Sequence, residues 1–354
     1  MLYHLLVFLQ PQARFLRVFE STSFRAMAAF LTALLLSFVV GSWFIEQSKK
    51  FFRSGVRQYT PENHQAKHNT PTMGGLFIVS VIISTMLLWC DIFQPHVLLL
   101  LVTLILFAAI GFWDDWSKIR YKKGISEFHK WCAQLAAGSF VLWLWHYLLH
   151  PLSTVCIPLF KDLNPDLGIF YYAWALFVLV GACNAVNLTD GLDGLAVGAL
   201  LPNFATFSLI AYCAGHAIFA HYLHIPFVGT AEIAIIAVIF IGACLGFLWY
   251  NTYPAQIFMG DVGALSLGAS LAMIALMTKQ ELLLAVSGAV FVGETFSVIM
   301  QVAGYKLFKK RLFKLAPIHH HYEKLGWPEM KITVRATIMT IIACLCALML
   351  LKIR

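Results

Sequence analysis

The chain has 354 residues, of which 60% are hydrophobic and 12% are charged, and its formal net charge is +8. Such a composition supplies too little polar surface for a water-soluble globule, so it excludes a soluble globular protein and indicates an integral membrane protein. Because lipid offers no hydrogen bonds to an open backbone, the segments that cross it are expected to be helices.

We predict an all-α protein, a polytopic integral membrane helical bundle of about ten spans that forms one domain over residues 1–354. The first residues, MLYHLLVFL, lack a basic leader and a small-residue cleavage site. We therefore expect an interfacial segment before an uncleaved first span. The predicted spans are Phe24–Ile45, Met73–Cys90, Val97–Trp113, Trp131–Leu149, Gly168–Val186, Leu195–Ala214, Ala231–Tyr250, Val262–Thr278, Leu282–Tyr305 and Thr333–Leu351.

Lysine and arginine residues concentrate in alternate connections, within positions 49–67, 118–130 and 306–331. Because basic connections are retained on the cytoplasmic side, we predict that these three face the cytoplasm and that both termini lie on the opposite side. The polar stretches around Asp190 and Asp261 fall on the same predicted inner side.

The first basic connection ends in KHNTPTMGGL, residues 67–76. The pair Gly74–Gly75, shortly after a proline, suits a tight turn where the backbone approaches a ligand or another helix. Taken alone, the pattern favours a simple helix start with Thr70 or Thr72 as the N-cap.

Two adjacent carboxylates, Asp114 and Asp115, follow the third predicted span in the sequence GFWDDWSK. They repel each other unless they share a cation or one of them holds a proton. Lys118 follows at helical spacing and can offset one of the charges. Lysines such as Lys118 and Lys130 are also typical of the flank of a span, but that interpretation leaves the double aspartate unexplained.

Two further carboxylates lie in NAVNLTDGLDGLAVG, residues 184–198, between two apolar runs. In a helix, Asn187, Asp190 and Asp193 would share one face because they are three residues apart. Charge at the mouth of an apolar segment is costly and usually functional. The alternative is a polar turn between two helices, where Asn, Asp and Gly are common for backbone reasons.

The stretch NTYPAQIFMGDVG, residues 251–263, places Asp261 between two glycine residues. A carboxylate flanked by small residues reaches a metal ion or backbone donors without steric cost. A simple helix N-cap is the alternative interpretation of the same aspartate.

The last long connection is basic and contains three consecutive histidines, His319, His320 and His321. Zinc needs ligands that converge, which three neighbours in a row do not all do, so we favour contact with phosphate or acid–base chemistry. The surrounding lysines could instead bind anionic headgroups. In the span before it, Glu294 and Gln301 share a helical face, where they line a cavity or bond across helices.

Five carboxylates are thus predicted to gather with several lysines on the cytoplasmic face of the bundle. The chain contains neither a GxxxxGK[ST] phosphate loop nor a GxSxG nucleophile motif. Carboxylates that hold Mg2+ beside lysines suit phosphoryl transfer, which depends mostly on positioning and charge neutralisation. The membrane setting adds a lipid substrate. The eight cysteines include no CxxC pair, so we expect buried thiols and neither a disulfide framework nor a zinc site.

The polar motifs, taken in chain order, form a specific set. They are TPTMGG, GFxDDxxK, NAVNLTDGLDGLA, FNTYPAQxFMGDVG (here with Tyr250 in place of Phe) and APIHHHYExxGWPE. This set resembles the signatures of the bacterial phospho-N-acetylmuramoyl-pentapeptide transferases, or translocase I, within the polyprenyl-phosphate N-acetylhexosamine-1-phosphate transferase superfamily. The resemblance runs in order over residues 67–335 and so covers most of the chain.

The resemblance implies a Mg2+-dependent transfer of phospho-MurNAc-pentapeptide from UDP-MurNAc-pentapeptide to undecaprenyl phosphate. The products would be lipid I and UMP, in the first membrane step of peptidoglycan synthesis. It also implies the bacterial inner membrane as location, an active site that faces the cytoplasm, periplasmic termini and a homodimer. It implies no nucleic-acid partner.

The resemblance also assigns roles to individual residues. The metal-binding carboxylate is Asp261, and Asp114 would deprotonate or orient the lipid phosphate. Phe258 would stack on uracil. The implied catalytic set is Asp114, Asp115, Asp261, Lys118, Lys130 and His319. The implied substrate-binding set is Lys67, Asn187, Asp190, Gly191, Leu192, Asp193, Asn251, Phe258, Gln301 and His320.

The chain departs from the family pattern at a few positions. His68–Asn69 stand where relatives often have Arg–Gly, and Arg335 is followed by Ala–Thr where relatives have aromatic residues. Ala264 stands where serine is frequent, which removes one hydroxyl contact to a ligand. None of these changes affects a proposed catalytic carboxylate.

Two alternatives remain at the level of the sequence. Within the same class, a relative could transfer GlcNAc-1-phosphate to a polyprenyl phosphate, although the PTMGG and PIHHHYE segments favour the muramoyl-peptide enzyme. In a different class, membrane transporters also carry intramembrane charges and glycine-broken spans. The carboxylates here cluster on one face and no internal repeat is visible, which counts against a transporter. A structural subunit would leave the charged residues at the span ends unexplained.

Overall fold

The computed structural model describes residues 1–11, 14–51, 70–160 and 163–353. Within these ranges every regular element is a helix, and the β pairing is limited to one isolated bridge between Thr154 and Asp166. The all-α prediction is confirmed. The helices are α1 (Leu2–Leu9), α2 (Thr22–Phe51), α3 (Gly74–Trp89), α4 (Pro95–Tyr121), α5 (Glu127–Leu149), α6 (Phe170–Thr189), α7 (Leu195–Ala214), α8 (Ala217–Leu223), α9 (Glu232–Asn251), α10 (Gly260–Met277), α11 (Glu281–Ser287), α12 (Ala289–Phe308), α13 (Ile318–Lys324) and α14 (Glu329–Lys352), with a 3-10 helix over Arg14–Glu20.

Eight of the described helices are long and apolar enough to cross a membrane, and α11 with α12 would make a ninth. The prediction of one continuous helix over residues 282–305 is wrong, because the chain bends by 82° between α11 and α12. The predicted second span corresponds to α3, which has 16 residues. At 1.5 Å per residue this helix is about 24 Å long, which is shorter than a hydrocarbon core of about 30 Å.

Helix α10 forms the centre of the bundle and packs against α3, α4, α6 and α7. Every residue from Val262 to Met277 is buried. Its sequence, GDVGALSLGASLAMIALM, is rich in Gly, Ala and Ser, which let neighbouring backbones approach closely. The outer helices instead expose large apolar side chains, as α2 does at Leu31, Leu35 and Val39. Such faces suit contact with lipid.

Buried charges hold the connections at one end of the bundle, which we call the far end. Arg25 of α2 pairs with Glu232 of α9 at 2.6 Å, and both side chains are buried. Glu232 also accepts the N–H of Asp91 after α3, at 3.2 Å. Lys279, after α10, donates to the carbonyl of Leu152 and lies 3.6 Å from the centre of the Tyr171 ring. The polar motifs lie at the opposite end of the bundle.

Candidate active site

Three carboxylates meet at the end of the bundle opposite the far end. Asp114 and Asp115 lie in the C-terminal part of α4, and Asp261 is the second residue of α10. Each offers an oxygen atom, and these atoms all lie within 4.8 Å of one another. Asp114 and Asp115 are each only 4% exposed. We call these three residues the carboxylate cluster.

Backbone donors fix two members of the carboxylate cluster. The N–H of Ile125 donates to Asp114 Oδ1 at 2.9 Å, and the N–H of Val262 donates to Asp115 Oδ2 at 3.3 Å. The interpretation of Asp261 as an N-cap is wrong, because the cap position of α10 is Met259 and Asp261 lies inside the first turn.

A glycine makes the close approach of α4 and α10 feasible. A Cβ atom on Gly111 would lie 2.4 Å from the carbonyl oxygen of Asp261 and 2.5 Å from the Cα of Val262. Because those atoms belong to backbone, a larger residue would force the two helices apart. Gly111 therefore sets the distance between the paired aspartates and Asp261.

Two lysines sit among the three carboxylates. Lys118 Nζ lies 2.7 Å from Asp114, 3.2 Å from Asp115 and 3.1 Å from Asp261. Lys130 of α5 pairs with Asp261 and lies 3.5 Å from Asp114. Three carboxylates and two ammonium groups leave a formal charge of −1 when all are ionised. The predicted pairing of Lys118 with the double aspartate is confirmed, and Lys130 joins it from another helix.

Asn187, near the end of α6, completes this arrangement. With its amide oriented to suit both neighbours, Asn187 Nδ2 donates to Asp261 Oδ1 and Oδ1 accepts from Lys130 Nζ, each at 3.2 Å. An amide can serve a carboxylate and an ammonium group together because it has both a donor and an acceptor. Asn187 therefore links α6 to the carboxylate cluster.

Asp190 follows α6 and lies next to the same charges. Burial, together with the negative charges of Asp261 and Asp115, raises its pKa to about 7. The nearby backbone N–H of Gly260 favours the charged form of this carboxyl group and opposes part of the rise in its pKa. Asp190 therefore holds a proton over part of the neutral range, unlike an ordinary surface aspartate.

The donor set of the carboxylate cluster suits a hard divalent cation. Mg2+ prefers oxygen ligands and is commonly held by one or two carboxylates together with waters and substrate phosphates. The predicted ligand was Asp261 alone, whereas the geometry brings Asp114 and Asp115 into the same set. A bound cation would compete with the ammonium groups of Lys118 and Lys130 for the same oxygens.

Two residues with predicted nucleotide contacts tie neighbouring loops together. Asn251 Oδ1 accepts the N–H of Gly194 at 3.0 Å, and its Nδ2 donates to the carbonyl of Ile257 at 2.8 Å. Asp193 Oδ2 accepts the N–H of Ala255 at 3.0 Å. These bonds hold the loop after α6 against the loop before α10. They support the interpretation of residues 190–194 as a polar turn rather than a helical face.

The loop after α6 also carries a small apolar core of its own. Leu192, Leu195 and Ile332 are buried together, with Tyr322 and Trp327 packed against them. We call these five residues the second core. Leu192, a predicted substrate-binding residue, thus has its side chain inside this core. The second core joins the start of α7 to α13 and α14.

The three histidines of the last connection point to different partners. His319 Nδ1 lies 3.0 Å from Glu294 of α12, and His320 Nδ1 lies 2.6 Å from Glu323. His321 Nδ1 accepts the N–H of Lys314 at 3.1 Å. The expectation that they do not converge on one metal ion agrees with this geometry, in the part of the chain that the structure describes.

Gln301 bonds to backbone at the segment before α13. Its Oε1 accepts the N–H groups of Leu312 and Phe313, and its Nε2 donates to the carbonyl of Phe313 at 3.0 Å. Glu294 and Gln301 both bond to other elements, as one alternative expected. Gln301 also lines a cavity of about 400 Å³, so both alternatives hold for this residue. The apolar run around Glu294 made this residue notable in the sequence, but nothing there identified His319 as its partner.

The residue that caps the N-terminus of α3 is not one of the predicted threonines. The cap residue is Met73, with φ 68° and no side-chain cap bond. The N–H groups of Gly74 and Gly75 instead donate to the carbonyls of Phe258 and Met259. The alternative of a tight turn against another segment is the one observed. Phe258 is half-buried in this contact. Lys67, another predicted substrate-binding residue, lies outside the described residues, as do His68 and Asn69.

Comparison with known proteins agrees with these motifs. Residues 97–279 match the model described as glycosyl transferase family 4, and residues 67–79 match phospho-N-acetylmuramoyl-pentapeptide-transferase signature 1. Two proteins named phospho-N-acetylmuramoyl-pentapeptide-transferase, from Citrifermentans bemidjiense and Geobacter sp. strain M21, are each 46% identical to the chain over 361 residues. Each comparison covers 100% of both proteins.

The chain belongs to the phospho-N-acetylmuramoyl-pentapeptide-transferase family. The glycosyl transferase match runs from α4 to α10 and so contains the whole carboxylate cluster and the loop after α6. The signature match covers the turn at the start of α3 that contacts the loop before α10. Membership in this family makes the chain a transferase and a multi-pass membrane protein, which removes the transporter alternative.

Proposed function

We propose that this chain transfers phospho-MurNAc-pentapeptide from UDP-MurNAc-pentapeptide to undecaprenyl phosphate, giving lipid I and UMP. The observation that carries the proposal is the carboxylate cluster with Lys118 and Lys130, in a chain with full-length relatives of this family. A phosphate oxygen of the lipid would attack the β-phosphorus of the nucleotide. The P–O bond to the UMP phosphate would break as the new bond forms.

The carboxylate cluster fits the needs of this reaction. Asp261, with Asp114 and Asp115, would hold Mg2+, which neutralises charge on the diphosphate when it is bound. Asp114 would also orient the lipid phosphate or accept its proton. Lys118 and Lys130, which lie among the carboxylates, would meet the diphosphate oxygens as substrate binds.

The substrate-binding set stays a prediction of the resemblance. Asn187 and Asp190 lie beside the carboxylate cluster, and Gly191 directly follows Asp190; these residues would meet the diphosphate end of the nucleotide. Phe258 would stack on uracil. Asp193, Asn251 and Gln301 bond to backbone, which supports a role in shaping the binding loops. The rest of the set is Lys67, Leu192 and His320.

The deciding experiment measures UMP release from purified protein in detergent with Mg2+ and undecaprenyl phosphate. Parallel reactions receive UDP-MurNAc-pentapeptide or UDP-GlcNAc. We expect UMP from the muramoyl substrate alone. UMP from UDP-GlcNAc alone would replace the proposal with the GlcNAc-1-phosphate transferase, and release from neither substrate would contradict both.

A substitution tests the metal-binding role. Asp261→Asn keeps the shape of the side chain but removes its charge, so we expect UMP release to fall by at least about 100-fold, as when a group that stabilises developing charge is lost. The matched control is Asp166→Asn, an exposed aspartate at the far end, which should leave activity unchanged. Near-normal activity of Asp261→Asn at saturating Mg2+ would refute the assignment.

The proposal includes a location and an arrangement in the membrane. The basic connections support the bacterial inner membrane with the carboxylate cluster on the cytoplasmic side and both termini in the periplasm. Undecaprenyl phosphate would then reach the cluster from the inner leaflet, and the nucleotide from the cytoplasm. We further propose a homodimer, which light scattering of the detergent-solubilised protein would test.

A further inference from the structure

His319 of α13 is buried between Glu294 of α12 and Gly191 of the loop after α6. The side chain is 1% exposed. Its Nδ1 lies 3.0 Å from Glu294 Oε2, and its backbone N–H donates to the same oxygen at 3.3 Å. Glu294 is itself 4% exposed. One buried carboxylate oxygen thus serves both the ring and the backbone of His319.

The other ring nitrogen faces the loop after α6. A Cβ atom on Gly191 would lie 2.2 Å from His319 Nε2, so the ring lies directly against this glycine. Nε2 has no hydrogen-bond partner among the described residues. A buried polar atom without a partner costs about 1–3 kcal/mol. Retention of such an atom suggests that a ligand satisfies it.

Gly191 lies between two parts of the candidate active site. Asp190 before it is close to the charges of Asp261 and Asp115, and Leu192 after it belongs to the second core. His319 Nε2 therefore lies beside the loop that reaches the carboxylate cluster. An imidazole that donates Nδ1–H to a carboxylate has a fixed tautomer, with a lone pair on Nε2.

We propose that Glu294 is a positioning residue that holds His319 so that Nε2 accepts a hydrogen bond from an O–H or N–H group of the nucleotide donor. This inference rests on the proposed function. Glu294 does not touch the donor and acts only through the imidazole ring. Gln301, two turns further along α12, holds Phe313 and so fixes the segment that leads to His319.

Glu294→Gln is the first test because it preserves size and removes charge. The amide can turn its NH2 group toward Nδ1, which then stays unprotonated and moves the proton to Nε2. We expect kcat/KM for UDP-MurNAc-pentapeptide to fall about 10–100-fold, as when a carboxylate that orients a histidine is lost. The KM for undecaprenyl phosphate should not change. Glu294→Asp should recover part of the loss.

Substitutions of His319 separate its two nitrogens. In His319→Asn, the amide lies near the position of Nδ1 and keeps a bond to Glu294. In His319→Gln, the amide lies near the position of Nε2. We expect His319→Asn to lose at least as much as Glu294→Gln, and the double variant Glu294→Gln/His319→Asn to lose no more than His319→Asn alone. Losses that multiply in the double variant would show independent roles and overturn the inference.

Ser297→Ala is the matched control on the same helix. Ser297 is buried and donates to the backbone carbonyl of Glu294 at 2.6 Å, so its loss alters packing without touching His319. Its kinetics should match those of the wild type. If the wild type releases UMP and Glu294→Gln retains wild-type kinetics, the inference fails while the proposed function stands.

A binding measurement keeps the two claims separate. If the wild type releases no UMP, the proposed function fails, and calorimetric titration with UDP-MurNAc-pentapeptide, without lipid acceptor, judges the inference. We expect both variants to weaken this binding, His319→Asn at least as much as Glu294→Gln, with thermal unfolding within a few degrees of the wild type. Equal binding by all three proteins would overturn the inference.

Discussion

Asp190 illustrates how position changes the chemistry of a single residue. Its pKa is raised to about 7 by burial and by the neighbouring negative charges, against about 4 in an unfolded chain. Below about pH 4 both states hold the proton. Between about pH 4 and 7 only the folded state holds this proton, and the bound proton stabilises the fold. This contribution to the free energy of unfolding decreases as the pH rises and is lost once the pH passes about 7.

The pH dependence of unfolding tests this environment. We expect the melting temperature of the wild type to fall relative to that of Asp190→Asn between pH 6 and 8, in detergent with EDTA, because the variant has no proton to lose. Asp166→Asn is the control, since hydrogen bonds from Ser153 and Gly168 lower the pKa of that exposed carboxyl. A constant difference between wild type and Asp190→Asn across this range would contradict the assigned environment.

Gly111 occupies a position where the packing of α4 against α10 requires the absence of a side chain. Its Cα faces the backbone at Asp261, with no room for a methyl group. We expect Gly111→Ala to cost about 1–3 kcal/mol through overpacking and to abolish most UMP release, because Asp261 moves away from Asp114. Thermal unfolding and activity measure the two effects.

Gly181 of α6 provides the control for this substitution. A Cβ atom there would meet nothing within 4 Å. Gly181→Ala should therefore leave activity unchanged and raise stability by up to about 1 kcal/mol through helix propensity. Equal behaviour of the two glycine variants would show that the contact at Gly111 does not set the geometry of the cluster.

At the scale of elements, the hairpin of α13 and α14 holds the loop after α6 in place. The rings of Trp327 and Tyr322 stack with their centres 4.7 Å apart, and the guanidinium carbon of Arg335 lies 4.6 Å from the centre of the Trp327 ring. Glu329 of α14 accepts the N–H of Asp193 at 2.8 Å. The second core and these contacts connect two motifs that are more than a hundred residues apart in the chain.

Removal of the indole should therefore impair catalysis more than stability. We expect Trp327→Ala to lower kcat/KM by more than about 10-fold, since displacement of positioning groups by about 1 Å has effects of up to 100-fold. The melting temperature should change little, because the main core is separate from the second core. Trp249→Ala, at a 68% exposed position on α9, is the control. A larger fall in melting temperature than in activity would contradict this view.

The sequence predicts helices more reliably than their ends and breaks. Long apolar runs give α2, α4 to α7, α9, α10 and α14 because a bilayer permits little else. The bend after Ser287 has no comparable signal, since the glycine there resembles many others in the chain. The cap at Met73 also could not be predicted from the sequence. The first N–H groups of α3 donate to the carbonyl groups of residues 258 and 259, which are distant in the chain.

At the scale of the whole molecule, the residues of the site were predictable because charge is rare in this chain. Asp114, Asp115 and Asp261 were notable as carboxylates beside apolar runs, and the structure brings all three together. The groups that fix them were not predictable. The N–H groups of Ile125 and Val262 belong to backbone, which gives no sequence signal.

The proposed orientation of the bundle has a direct test. Lys123, between α4 and α5, and Leu163, at the far end, are both exposed. In a background with the exposed Cys132 and Cys346 changed to serine, Leu163→Cys should react with a membrane-impermeant maleimide in intact spheroplasts. Lys123→Cys should react only after permeabilisation. The reverse pattern would invert the orientation.

The central position of α10 has a consequence for how the chain is made. Apart from α11, which directly follows it, its partners α3, α4, α6 and α7 precede it in the chain, so the ribosome supplies them first. The helix with the largest buried share among the described spans would therefore enter a groove formed by neighbours that are made before it. Asp261 arrives with that helix. The nascent protein would thus lack a complete carboxylate cluster until α10 docks, so that catalytic competence coincides with a late step of assembly.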